Sequence, residues 1–256
     1  VAKLALWQQV CYHTLMIMFI YGEDSFSSRQ KLRQIKAAFI EKHGDLNLLE
    51  IDGASLDNFS GLKEACETMP FLGEKRLVIV NNFLTKSRKE ILAEEITSYL
   101  PAVPDTCVLL FYESEQPDKR RKLFKQLETK AQKYGFAPKT DFEIRDWAKK
   151  DLAAAGFSIS SDALAALALA VEGDLWRLSM ELNKLKLYKD QEKNIEASDV
   201  KKMVKSKVSS NIFDLTDALG NKNTKKAAEE LHNLYETGEN EFYILSMLNF
   251  QFRNLA

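Results

Sequence analysis

Four short apolar runs punctuate the first half of the chain: residues 16–21 (MIMFIY), 47–52 (NLLEID), 76–81 (RLVIVN) and 106–112 (TCVLLFY). Several are continuous rather than alternating, as strands covered on both faces must be. A weaker fifth strand is expected near 135–140. Helical patterns lie between the runs. Residues 26–42 follow Ser25, a candidate N-cap. Residues 86–100 place Leu92, Ile96 and Leu100 on one face, and 118–134 do the same with Leu123, Leu127, Ala131 and Tyr134. Strands alternating with helices predict an α/β fold, a five-stranded parallel sheet with helices on both sides.

From Asp141 the pattern is helical only. Residues 142–155 stack Ile144, Ala148, Leu152 and Ala155, and Ser160 or Ser161 caps an alanine-rich helix over 162–171. Gly173 breaks the pattern, and 174–189 carries Leu175, Leu178, Leu182 and Leu185. A short helix over 197–205 closes this group, and the lysine-rich stretch 201–207 marks a boundary. Helices over 211–219, ended by Gly220, over 223–236, ended by Gly238, and from 240 onward complete the pattern. The expected division is an αβ domain over 16–140, a small helical domain over 141–208 and a further helical segment over 209–256. Residues 1–15 read as a non-native leader, with the true start near Met16 or Met18. Gln8, Gln9 and His13 interrupt what a signal peptide would keep apolar.

Composition narrows the function classes. A net charge of −1 gives no global field toward nucleic acid, so such contact would need a local patch. Cys11, Cys66 and Cys107 are far apart in sequence and read as reduced thiols. His13, His43 and His232 are equally scattered, so no metal site or Cys/His nucleophile pair is expected. No stretch is long enough to span a bilayer, and a cytoplasmic location is expected.

The most telling position follows the first strand. A nucleotide-binding αβ domain would place its phosphate loop at Gly22, but the chain runs GEDSFSSRQKLRQ without G-x-x-x-x-G-K-[ST]. Glu23 and Asp24 add negative charge where phosphate would sit. The third strand ends in Asn81-Asn82, where an ATPase of this layout needs paired acidic residues to hold magnesium and polarise water. No cofactor is expected. The pattern is that of an ATPase scaffold without its chemistry, better suited to gripping a partner.

An αβ domain followed by two helical segments resembles the clamp-loader branch of the AAA+ proteins. The chain is similar to the family of the delta subunit of bacterial DNA polymerase III. The residues that carry the resemblance are GED after the first strand, MPFLGEKRLVIVNN at 69–82, PAVPDTCVLLFY at 101–112, GDLWRLSMELNKLKLY at 173–188 and NIFDLTDAL at 211–219. The ordered series is specific, although no single motif is. The resemblance implies an AAA+-like sheet domain, a helical lid and a collar domain that is cut short here. It also implies a subunit that binds the beta sliding clamp and opens one ring interface, while sister subunits hydrolyse ATP. Implied partners are the clamp, the tau/gamma and delta-prime subunits and, through the assembled complex, primed DNA. The holoenzyme is a DNA-directed DNA polymerase, a nucleotidyltransferase; this chain alone is expected to be non-catalytic.

The family's clamp-contacting element maps onto Met69, Pro70, Phe71 and Leu72. Residues 61–68 can form a short helix, and Pro70 disfavours helical geometry at Met69. The chain must turn there, leaving Met69, Phe71 and Leu72 at a loop tip. The alternative is that Phe71 and Leu72 roof the sheet and that Met69 points into the core. Lys119, Arg120, Arg121 and Lys122 lead a basic run continued by Lys125, Lys130 and Lys133. That run suits either DNA phosphate or a solvated helix face. Arg177, near where related ATPases sense nucleotide, reads as structural. Two rival functions remain: an ATP-binding enzyme with a degenerate loop, and a structural partner like the delta-prime stator, whose usual cysteine zinc cluster this sequence lacks.

Overall fold

The computed structural model describes residues 17–171, 173–189, 192–204, 212–236, 241–242, 244–246 and 248–249. The expected leader and the start residue lie outside them. The described chain divides into two compact units that meet between Pro138 and Lys139.

The first unit holds five parallel strands in the order β2-β3-β4-β1-β5: β1 (Ile17–Tyr21), β2 (Leu48–Asp52), β3 (Arg76–Asn81), β4 (Cys107–Tyr112) and β5 (Gln132–Gly135). The central strands explain their own composition. In β1, Ile17 and Phe19 face one core while Met18 and Ile20 face the other. In β4, Cys107, Leu109 and Phe111 join the first core and Val108, Leu110 and Tyr112 the second. Every residue of β4, and all of β1 but Tyr21, is buried, so the run must be apolar. The second core is covered by α1 (Ser25–His43) through Leu32, Ile35, Ala38 and Phe39. The first is covered by α2 (Phe59–Glu67), α3 (Phe83–Lys86), α4 (Glu90–Tyr99) and α5 (Lys122–Lys130).

Three expectations need correction here. The fifth strand lies at 132–135, not 135–140. It is an edge strand hydrogen-bonded to β1, with polar residues and alternating exposure, so it leaves no apolar run to read. The helix expected over 118–134 is correspondingly short: α5 ends at Lys130, and Tyr134 belongs to β5. The cap of α1 is Asp24 rather than Ser25. The Asp24 carboxylate accepts the Ser27 N–H at 2.9 Å, and its charge also suits the positive end of the helix dipole.

The second unit contains α6 (Asp141–Ala154), α7 (Ser161–Val171), α8 (Leu175–Tyr188) and α9 (Ala197–Met203). Thr140 and Glu143 form a reciprocal capping box at the start of α6. Ser160, not Ser161, caps α7 by accepting the Ala163 N–H. Gly173 adopts φ +81° in the turn before α8. A two-residue parallel pairing, β6 (Ser158–Ile159) with β7 (Asn194–Ile195), is too short to leave a sequence signal. Further along, α10 (Ile212–Gly220) and α11 (Thr224–Glu236) share a core of Leu215, Ala218, Ala227 and Leu234, joined by Ile244.

Candidate functional site

The turn between β1 and α1 is where this fold would hold a phosphate. Several of its amides already have partners. Gly22 N–H donates to the Glu115 carbonyl at 3.4 Å and Asp24 N–H to the Phe136 carbonyl at 3.1 Å. Ser25 N–H donates to Glu23, and Ser28 N–H to the Asp24 carbonyl. The segment following β5 also crowds the turn: a Cβ built on Gly22, at φ +135°, would lie 2.1 Å from the Phe136 carbonyl oxygen. Backbone stands where an anion would need room.

The end of β3 is equally committed. Asn82 adopts a left-handed conformation, φ 54° and ψ 36°. Its side-chain oxygen accepts from Ser114 N–H at 2.9 Å and from the Ser114 hydroxyl at 2.8 Å. Beside it stands Glu113, a fully buried carboxylate absent from the sequence reading. It accepts from the N–H groups of Leu84 and Thr85 and from the Thr85 hydroxyl, so it caps α3. Burial pushes its carboxyl up from the ordinary range, while those donors and the Arg121 charge pull the other way. A charge abutting the apolar run 107–112 was the available signal.

The loop before β3 is the opposite kind of surface. Helix α2 stops at Glu67, and Thr68 is already extended. Met69 is 73% exposed, Phe71 60% and Leu72 93%. Leu72 sits at φ +48°, an uncommon conformation for a bulky residue. The loop is braced from below by Asn47, only 1% exposed, at the end of the short 3-10 turn Asp45–Asn47. Asn47 Oδ1 accepts Phe71 N–H at 2.6 Å. Its Nδ2 donates to the Phe71 carbonyl at 2.9 Å and to the His43 carbonyl at 2.6 Å. Leu46, one residue earlier, is 70% exposed. Sequence reading placed Asn47 at the start of a strand and passed over Leu46. An apolar residue between Asp45 and Asn47, in a turn, was the only hint.

The basic run is not one helix face. Lys119, Arg120 and Arg121 precede α5, and Lys133 lies on β5. Lys119 and Lys122 are exposed. Arg120 is paired with Asp118 at 2.8 Å. Arg121 is turned inward rather than offered to a phosphate: its side chain is 12% exposed and pairs with Glu90 at 2.9 Å. It also donates to the carbonyls of Leu84 and Ser87. Arg177 is half-buried in the first turn of α8. Cys66 and Cys107, distant in sequence, are both buried and hydrogen-bonded to each other, which together with burial pushes the Cys66 thiol up. Among the described residues, no group of three or more His, Cys, Asp or Glu could hold a metal ion, and no helix is long and apolar enough to cross a membrane.

Two family models match the chain. The one described as DNA polymerase III, delta subunit, covers residues 18–134, and the one for the C-terminal domain of the same subunit covers 209–256. The chain belongs to the DNA polymerase III delta-subunit family. Curated relatives of the same name agree. DNA polymerase III subunit delta of Bacillus subtilis is 28% identical over 249 residues, which cover 91% of this chain and 70% of that protein. The probable subunit of Aquifex aeolicus is 26% identical over 242 residues, covering 91% and 67%. Among solved structures, a Bacillus subtilis DNA clamp loader delta protein matches with a TM-score of 0.66 at 25% identity, covering 98% of this chain and 76% of that one. The Holliday junction branch migration motor RuvB of Thermotoga maritima matches with a TM-score of 0.51 at 12% identity, covering 85% and 74%, a likeness of fold alone. That fold is the AAA+ arrangement expected of the delta family.

Proposed function

We propose that this delta-family chain is the ring-opening subunit of a clamp loader. It docks the sliding clamp through Met69, Phe71 and Leu72 and leaves ATP hydrolysis to sister subunits. The single observation that carries this reading is the exposure of those three apolar side chains on a loop whose backbone is held from beneath. Burying each in a partner pocket would contribute about 1.5–3 kcal/mol, and interface energy concentrates in a few such anchors. A ring strained at its seam opens when a ligand prefers the open form. The committed amides of the β1–α1 turn support the absence of nucleotide chemistry. In the assembled complex the partners are the tau/gamma and delta-prime subunits and primed DNA. Of the four basic residues singled out in the sequence, the exposed Lys119 and Lys122 are the ones free to meet DNA phosphate, and the lid is assigned to 141–208, its far limit lying outside the described residues. The test is capture of purified sliding clamp by this chain and by its Phe71→Ala/Leu72→Ala variant, with circular dichroism of both. Capture by the parent and loss in the variant, at unchanged helicity, is expected. Equal capture by both contradicts the assignment. Saturable micromolar ATP binding would favour the enzyme alternative instead.

A further inference from the structure

Adjacent parallel strands begin side by side, so the turns that lead into β2 and β3 are neighbours. Asn47 closes the first of those turns, and its side chain grips the second. One primary amide holds both the N–H and the carbonyl of Phe71, and its remaining donor bond goes to the last turn of α1 at His43. Only one orientation of the amide satisfies this set, because Oδ1 must accept while Nδ2 donates twice. Asn47 itself is 1% exposed, so its own side of these bonds is shielded from water.

The loop is built around this grip. A Cβ on Gly73 would lie 2.9 Å from Asn47 Nδ2 and 3.4 Å from the His43 carbonyl oxygen, so only glycine lets the chain pass this close. Leu72, between Phe71 and Gly73, is held at φ +48°. A bulky residue stays in that region when its surroundings over-determine the backbone. The result presents Leu72 almost entirely to solvent and fixes where Phe71 leaves the chain.

We propose that Asn47 is the positioning residue of the clamp-docking loop, pre-organising Phe71 and Leu72 for the partner's pocket through its two bonds to the Phe71 backbone. This rests on the docking assignment made above. Pre-organisation raises affinity because the loop is ordered before it binds. The buried amide thereby acts on the partner without touching it.

The experiment measures capture of purified sliding clamp by the full chain carrying Asn47→Ala, Gly73→Ala, Leu72→Ala, Phe71→Ala/Leu72→Ala, and Asn47→Ala with Leu72→Ala. Melting temperature and hydrogen exchange of the Phe71 amide are followed alongside. Asn47→Ala is expected to weaken capture about tenfold and to release the protected Phe71 amide. Gly73→Ala, which crowds Asn47 Nδ2 but keeps its side chain in place, does the same, so the inference stays testable even if Asn47→Ala folds poorly. Leu72→Ala costs less in the Asn47→Ala background than in the parent, because a loosened loop no longer delivers Leu72. Strict additivity of those two substitutions, or parental capture by both Asn47→Ala and Gly73→Ala, overturns the positioning role. If Phe71→Ala/Leu72→Ala loses capture in that same experiment, the docking assignment stands without Asn47. If it captures clamp like the parent, the docking assignment fails and the positioning role with it.

Discussion

The two edges of the central sheet are built on opposite rules. At the carboxyl ends of the strands, the β1–α1 turn turns its polar groups inward: its amides bond to Glu115, Phe136 and Glu23, and Asp24 caps the helix. At the amino ends, the loop before β3 turns apolar side chains outward and satisfies its backbone through the buried Asn47. Open parallel sheets ordinarily bind ligands at the carboxyl edge. Here the edge that would serve a nucleotide is closed by its own hydrogen bonds. Recognition has a place to sit on the other edge, where partner-sized apolar groups are displayed.

This contrast breaks most readily at the display edge. Phe71→Ala/Leu72→Ala is expected to weaken clamp capture about a hundredfold or more, since two anchors of about 1.5–3 kcal/mol are removed. Urea stability of that variant should stay within about 0.5 kcal/mol of the parent, because both side chains are exposed. The closed edge should behave in reverse. Gly22→Ala places a methyl group against the Phe136 carbonyl at a positive φ, and is expected to cost about 2–4 kcal/mol of stability by chemical denaturation. Clamp capture per folded molecule should be unchanged. Asp24→Ala removes the cap of α1 and should cost about 1 kcal/mol in the same assay.

The smallest effect concerns pH. Burial, and next the charge of Lys42, hold the His43 imidazole below its ordinary value of about 6.5, with Glu74 opposing. The unfolded chain therefore binds the proton more readily than the folded one. The contribution is fully present above about pH 6.5 and is lost as pH falls through the lowered folded value. Between about pH 7.5 and about pH 5.5, the parent should lose slightly more stability than His43→Gln.

Sequence exposed the parts whose physics is one-dimensional. Strands covered on both faces, such as β1, β3 and β4, must be apolar at every buried position and were readable as runs. The missing phosphate loop and the bend before Pro70 were readable for the same reason, since both are short local patterns. The edge strand β5 was misplaced because half of its residues face solvent, which removes the apolar run that marks a strand. The inward turn of Arg121 and the buried Glu113 depend on α3, α4 and the end of β4 coming together, and no spacing along the chain encodes that. Asn47 is the sharpest case. It looks like an ordinary turn residue until β2 and β3 lie side by side and put its amide under Phe71, 24 positions away.

Hydrogen exchange of the chain, alone, with sliding clamp and with ATP, interrogates both edges at once. The account predicts that clamp slows exchange across residues 68–73 and leaves 22–28 untouched, and that ATP slows neither. Protection of 22–28 by ATP, or clamp protection confined to segments other than 68–73, would contradict it.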